Sequence, residues 1–177
     1  FVSSYNNGSY RYHSHCVTIL NNDSLHVWQP NWEKRQYCKI FRKASMSPKM
    51  RGFSEKLYGA VIQGSNNRDF SDAHNLGKIG RVVDFLDGDS IKTPNNGFRY
   101  YRLLPVDTNS IHIAELQFIE NGKINYGKPI GIRNEINIEY AFDDDIRTNF
   151  NGASREWIGI DLGKPIKIDS YKVLPRN

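Results

Sequence analysis

The sequence predicts an all-β fold, an antiparallel β-sandwich. Clusters of turn-forming residues recur at short intervals, and the segments between them are short and rich in aromatic and branched side chains. The 3.6-residue apolar period of long amphipathic helices is scarce. This combination is typical of sandwiches and barrels. The turn clusters are Asn21–Asp23, Gly64–Asn67, Asp87–Asp89, Pro94–Gly97 and Asn121–Gly122.

Six extended segments are predicted between these turns, each short enough for a single strand. Two helical turns are also plausible, at Ser71–Leu76 and Ala141–Thr148, but neither has the length of an architectural helix. The predicted strands are Gln36–Phe41, Leu57–Gln63, Phe98–Leu104, Ile111–Ile119, Trp157–Leu162 and Ile166–Leu174.

The segment Phe98–Phe118 predicts two strands joined by a turn. Pro105 ends the first strand, and Asp107–Ser110 supplies short polar side chains that bond to their own backbone in turns. Glu115 stands inside the apolar second strand. An acid in that position is salt-bridged, exposed at an edge or used as a ligand. The sequence leaves all three readings open.

The length and composition limit the classes of protein to which this chain can belong. The chain has 177 residues, of which 24% are charged and 38% hydrophobic, which suits one globular domain or one domain plus part of another. Lys and Arg give a net charge of +5 but are scattered, whereas nucleic-acid binders cluster them. No apolar run approaches the ~20 residues of a membrane span. The start of the chain does not resemble a signal peptide, so any export signal has been removed or lies outside it.

Reactive residue types form no catalytic pattern. Cys16 and Cys38 lack the spacing of a zinc or redox site, and the sequence does not decide between a disulfide and two buried thiols. The five histidines form no HExxH pattern, and neither a GxSxG elbow nor a phosphate-binding loop is present. The sequence therefore predicts no enzymatic activity.

Two blocks of sequence resemble a known family. The first is Ser47–Asn66, which contains GAVIQGSN, followed by the strands of Phe98–Phe118 with the segment IAELQF. The second contains AFDDDIRTNF at Ala141–Phe150, WIGIDLG at Trp157–Gly163 and the final PRN. Together they resemble discoidin, or coagulation-factor (F5/8) type C, modules of secreted and surface proteins of gut Bacteroidetes. The resemblance implies a galactose-binding-like jelly-roll sandwich. Residues 1–39 match nothing recognisable.

The order of the two blocks is reversed relative to that family, in which the FDGD and DLG segments open the module. One reading is a discoidin-like module at 1–118 followed by the opening half of a second module at 119–177. A faint repeat around Pro48 and Pro175 favours this tandem arrangement. The alternative is one circularly permuted sandwich over 1–177, which is physically cheap because domain termini often lie close together.

Crowded oxygen ligands predict a calcium site. Asp143, Asp145 and Thr148 lie within one tight loop, and carboxylate and hydroxyl oxygens suit calcium. The resemblance adds Glu115 as a further ligand of a structural calcium. Asp144 replaces the usual glycine, although aspartate tolerates a left-handed backbone better than most residues. The alternative is a solvated acidic turn without metal.

Carbohydrate binding normally combines an aromatic platform with a few planar hydrogen-bonding groups. Trp157 opens a strand and is predicted to be a core residue. The candidate binding residues, which the sequence predicts to lie in loops, are Trp28, Trp32, His26, Arg51, Phe53, Asn66 and Asn67.

The predicted function is that of a non-catalytic carbohydrate-binding accessory module of a secreted or cell-surface protein. Its partners would be a glycan or glycoprotein and neighbouring domains of a longer chain, without nucleic acid or membrane insertion. One alternative is a structural spacer or protein-interaction module joined to a hydrolase located elsewhere in that chain. Another is a fragment of a hydrolase whose active site lies outside these residues.

Overall fold

The computed structural model describes residues 2–3, 17–21, 24–28, 48–83, 85–132 and 137–176, and for the first three ranges it describes the backbone alone. The chain divides into two compact units, residues 1–42 and 43–177. The first unit contains a three-stranded antiparallel sheet in the order β1-β2-β3, formed by Val2–Ser3, Val17–Asn21 and Ser24–Trp28. Cys16, Trp32, Cys38 and the predicted strand at 36–41 lie outside the described residues.

Within its described residues, the second unit contains an α-helix followed by nine strands. Helix α1 spans Pro48–Leu57, and a short 3-10 helix spans Ile138–Ala141. The strands are β4 (Val61–Ser65), β5 (His74–Lys78), β6 (Phe98–Leu104), β7 (Ser110–Glu120), β8 (Lys123–Asn125), β9 (Lys128–Gly131), β10 (Phe150–Ser154), β11 (Ile158–Ile166) and β12 (Ser170–Pro175).

These strands form two antiparallel sheets that pack against each other. One has the order β5-β4-β6-β11-β9, and the other has β10-β7-β12 with β8 also paired to β7. Side chains alternate between the faces of a strand, so Tyr101 and Leu103 of β6 enter the core while Arg102 points away from it. Ile111 and Ile113 of β7 enter the same core from the opposite sheet. The predicted all-β sandwich is confirmed.

Each of the two sheets contains strands from the earlier half and from the later half of the second unit. β11 pairs with β6, with Ile160 opposite Tyr101. β12 pairs with β7, with Val173 opposite Leu116. Strands on the two sides of the predicted division at residue 118 therefore complete one core.

Two predicted turns have the backbone geometry that their residues favour. Asn121 and Gly122 join β7 to β8 with φ angles of 48° and 75°. Positive φ at both central residues is typical of the type I′ hairpin turn, for which Asn-Gly is a preferred pair. In the Pro94–Gly97 turn, the Gly97 N–H donates to the Pro94 carbonyl at 2.9 Å.

Helix α1 corrects the predicted strand at 57–63, because Leu57 ends the helix and β4 begins only at Val61. The helix begins at Pro48, and proline is favoured in the first helical turn, where its missing N–H costs no hydrogen bond. The predicted helical turn at 71–76 is also wrong, since β5 already begins at His74. The 3-10 helix ends at Ala141, where the second predicted helical turn was to begin.

A second, smaller cluster covers the outer face of the five-stranded sheet. It contains Phe70, Tyr100 and Ile130, with Trp157 half-buried against them. The guanidinium of Arg102 stacks 4.0 Å from the Phe70 ring centroid and 5.0 Å from that of Trp157. Trp157 was predicted to be a core residue, but it packs in this outer cluster and not in the main core. None of the helices within the described residues combines the length and apolar character needed to cross a bilayer.

Candidate functional site

Glu115 lies at a break in the alternation of β7. Leu174 of β12 pairs with Glu115, but the next residue, Pro175, pairs with Ile113, so Ala114 is an extra residue in β7. Such a bulge shifts the alternation and re-aims the neighbouring side chains. As a result Ile113 before the bulge and Leu116 after it both enter the core, and Glu115 is only 2% exposed.

A gap in strand pairing opens beside Glu115. β12 pairs with β7 from Ile113 to Ile119 along one edge. β10 and β8 share the other edge, pairing with Ser110–Ile113 and Phe118–Glu120 respectively. The segment between them adjoins a cavity of about 20 Å³. That volume holds a water molecule or an ion and is too small for a sugar ring. Its lining includes Glu115, Gln117, Tyr126, Phe142, Asp144 and Ile160.

The predicted calcium-binding loop is held by its own hydrogen bonds. The Thr148 hydroxyl lies 2.8 Å from both Asp143 Oδ2 and the Asp145 carbonyl oxygen, and Asp143 Oδ1 accepts from the Asp145 N–H at 2.9 Å. The Asp145 carboxylate forms an ion pair with Arg147 at 2.6 Å, which raises the pKa of the arginine. The structure thus brings Asp143, Asp145 and Thr148 together in one loop.

The acid of this loop that reaches the Glu115 cavity is Asp144. Its carboxylate accepts a hydrogen bond from the Tyr126 hydroxyl at 2.7 Å and from the Gln117 amide at 3.2 Å. The bond to Asp144 raises the pKa of Tyr126, and burial and the negative charges of Asp144 and Glu115 act in the same direction. Asp144 has a φ of 58°, so it adopts the left-handed conformation expected at a position where the resembling family has glycine. Asp144 was not among the ligands predicted from the sequence.

Two carboxylates around this cavity are of the kind that binds calcium. Glu115 and Asp144 supply carboxylates, which are hard ligands that calcium accepts, and Tyr126 and Gln117 hold the Asp144 carboxylate in place by donating hydrogen bonds to it. Within the described residues, no group of three or more His, Cys, Asp or Glu side chains is placed to hold a metal ion. Neutral oxygens, backbone carbonyls or water would therefore complete the coordination shell. A bound calcium would fix the Asp143–Thr148 loop against β7 and would take no part in chemistry.

The predicted sugar-binding residues fall in separate places. His26 and Trp28 lie on β3, where only the backbone is described, and Trp32 lies outside the described residues. Asn66 and Asn67 are in the loop after β4, where their backbone N–H groups both donate to the Asp72 carboxylate at 3.3 Å.

Arg51 and Phe53 lie on helix α1 and not in a loop as predicted. Ser47-Pro48 is a helix-start signal, but no helix was predicted there because an apolar strand was expected immediately afterwards. Arg51 is exposed and pairs with Glu55 one helical turn later, at 3.0 Å. Phe53 is half-buried and reaches the outer face of the sheet formed by β7, β10 and β12.

Phe53 is surrounded by planar polar groups that were not predicted from the sequence. The ring centroid of Phe53 lies 4.8 Å from the ring centroid of His112, which is on β7. The guanidinium of Arg176, the residue just after β12, lies 5.3 Å from the Phe53 ring centroid. Arg176 Nη1 donates to Asn151 Oδ1 of β10 at 2.7 Å. We call Phe53, His112, Asn151 and Arg176 the Phe53 patch. Four separate elements contribute to it, so no local sequence signal announces it.

Comparison with models of known protein families finds no match to this sequence. Neither the curated proteins nor the solved structures contain a match.

Proposed function

We propose that this chain is a non-catalytic carbohydrate-binding module of discoidin type, belonging to a secreted or cell-surface protein and stabilised by calcium. The family and the location come from the resemblance of AFDDDIRTNF, WIGIDLG and GAVIQGSN to that family. The β-sandwich architecture supports the proposal at the level of the fold.

The observation that carries the binding role is the Phe53 patch. An aromatic ring beside an arginine, an asparagine and a histidine combines apolar surface for sugar C–H groups with planar donors and acceptors for hydroxyls. The patch stands on a rigid sheet, because His112 and Asn151 are directly opposite each other in the β7–β10 ladder. A rigid support lowers the entropic cost of binding.

The test is a glycan panel titrated against the wild-type chain and two variants. Phe53→Ala removes the ring, and we expect the affinity for the bound glycan to fall about five- to tenfold, as stacking contributes roughly 1 kcal/mol. Tyr58→Ala is the matched control, because Tyr58 directly follows the same helix and is 55% exposed. The control should bind as the wild type does.

Two results would contradict the proposal. If both variants retain wild-type affinity for every glycan bound, the Phe53 patch is not the binding surface. If the folded wild-type chain binds no glycan in the panel, the spacer or protein-interaction role becomes the better account.

A further inference from the structure

A row of hydrogen bonds with a cation at each end crosses the Phe53 patch. From one end, Lys56 Nζ lies 3.4 Å from Ser110 Oγ, which lies 3.0 Å from His112 Nε2. From the other end, Arg176 donates to Asn151 Oδ1, which lies 3.1 Å from His112 Nδ1. We call these five residues the polar row.

The directions of these bonds leave His112 neutral at the centre. Asn151 Nδ2 donates to Asn149 Oδ1 at 2.7 Å, so Asn151 Oδ1 is the acceptor that faces the imidazole. His112 Nδ1 therefore carries the proton, and Nε2 accepts from the Ser110 hydroxyl. Donation runs from Lys56 through Ser110 and His112 to Asn151 Oδ1, which also accepts from Arg176. Both cations keep further N–H groups for a ligand.

The charge at the two ends is not balanced by a neighbouring acid. In the part of the chain that the structure describes, neither Lys56 nor Arg176 forms a salt bridge. Several other arginines are paired with carboxylates within 3.0 Å. They are Arg51, Arg81, Arg99 and Arg147. The polar row thus concentrates unbalanced positive charge beside an aromatic ring.

We propose that the polar row selects a saccharide that carries acidic groups, with Lys56 and Arg176 binding the anions and Phe53 contacting the sugar ring. This inference rests on the proposed carbohydrate-binding function and specifies the chemical class of its ligand. A carboxylate or sulfate oxygen accepts charge-assisted hydrogen bonds from both kinds of cation, and arginine binds either group in a bidentate manner. Because the cations stand at opposite ends of the row, a chain with repeated acidic groups fits better than a single acid.

The titration of His112 supplies an independent readout. Burial lowers the pKa of His112 below its ordinary value, and the hydrogen bond to Asn151 opposes this shift in part. The positive charges of Lys56 and Arg176, which face His112 from α1 and from the end of β12, also lower its pKa. A bound anion offsets these charges and raises the pKa of His112. Binding should therefore take up a proton, and affinity should increase as the pH falls through the window between the pKa values of the free and bound states.

The experiment compares a short oligogalacturonate with its fully methyl-esterified form, which has the same sugar without the charge, and with a sulfated oligosaccharide. We expect the Kd of the acid to be at least about tenfold lower than that of the ester. A charge-assisted hydrogen bond is more favourable than a neutral one by about 1.4 kcal/mol, which corresponds to a tenfold change in Kd. Lys56→Gln and Arg176→Gln should each weaken binding of the acid. His112→Asn, which keeps a donor toward Asn151, should remove the proton uptake measured by calorimetry in two buffers.

The matched control is Lys172→Gln. Lys172 is an exposed cation of β12 outside the polar row, and its positive charge acts on Asp87. The substitution should leave the affinity for the acid unchanged and so separate local recognition from net charge. If Lys56→Gln and Arg176→Gln weaken binding of the sulfated and the carboxylated sugar equally, the polar row recognises either kind of acidic group. Binding of the carboxylated sugar alone would assign the carboxylate.

The inference and the proposed function fail in different ways. If the methyl ester binds as tightly as the acid, or only neutral glycans bind, the acidic specificity is wrong and the carbohydrate-binding function stands. If Lys172→Gln weakens binding as much as Lys56→Gln and Arg176→Gln do, recognition by the polar row is wrong. If no saccharide of any charge binds the folded wild-type chain, both proposals are wrong.

Discussion

Asp144 shows how one residue alters the prospective metal site. A glycine in the left-handed conformation would close the loop without steric strain, but it would bring no ligand. Aspartate keeps the conformation, with a φ of 58°, and adds a carboxylate that bonds to Tyr126 and Gln117 beside Glu115. At this residue the departure from the family pattern adds a donor to the cavity.

The first prediction at this scale concerns thermal stability with calcium and with EDTA. A ligand that binds only the folded state stabilises it, by about 2.7 kcal/mol when its concentration is 100 times Kd. We expect calcium to raise the wild-type melting temperature and the increment to vanish in Glu115→Gln. Asp144→Gly should lose most of the increment while preserving the left-handed loop.

Glu55→Gln provides the control for these variants, because Glu55 is an exposed acid on α1, away from the cavity. It should keep the full calcium increment. The quantity compared is the rise in melting temperature that calcium causes within each variant. A change in the intrinsic stability of a variant therefore does not affect the comparison. If calcium leaves the wild-type melting temperature unchanged, the metal assignment is wrong and the loop is only an acidic turn.

At the scale of the element, helix α1 joins the core to the Phe53 patch. Ser54 and Leu57 are fully buried on one side, while Phe53 and Lys56 reach the outer face of the β7 sheet. A helix of this length is marginal by itself in water, so its position depends on tertiary packing. Packing of Leu57 therefore also positions the side chains that we propose to bind sugar.

The second prediction tests this anchor. Leu57→Ala should lower the free energy of unfolding by about 2–5 kcal/mol, because it leaves a cavity where a fully buried side chain was packed. Tyr58→Ala, one residue further and mostly exposed, should change it by less than about 0.5 kcal/mol. Urea unfolding followed by far-UV circular dichroism measures both. Similar midpoints for the two variants would mean that α1 is not anchored through Leu57.

At the scale of the whole molecule, the sandwich is assembled from strands far apart in the chain. β6 and β7 occupy the centres of the two sheets, and each takes a partner from the last third of the sequence. Ile158, Tyr171 and Val173 from those partners are all nearly fully buried in the common core. Removing the late strands would expose apolar surface and leave unpaired backbone groups along two strands.

The third prediction follows from this assembly. A fragment of residues 43–118 should be unfolded or aggregated, whereas residues 43–177 should unfold cooperatively as one unit. Circular dichroism and the dispersion of amide signals in NMR spectra distinguish the two states. A folded 43–118 fragment would instead support an independent module that ends near residue 118.

The sequence by itself determined the strand class, several turns and the acidic loop. Local chemistry is sufficient for these features, because Asn121–Gly122 favours a type I′ turn wherever it occurs and the Asp143–Thr148 loop holds itself by local hydrogen bonds. The spacing of Ile113 and Leu116 in the sequence already departs from strict alternation, but the bulge beside Glu115 was not predicted from it.

Only the tertiary structure decided which residues meet. Phe53, His112, Asn151 and Arg176 come from a helix, two strands and the segment after a third, and their sequence separations carry no periodic signal. Their proximity depends on strand register, and a shift by one residue would turn His112 to the opposite face. Register is set by burial of both sheets at once, so the Phe53 patch is a property of the assembled sandwich.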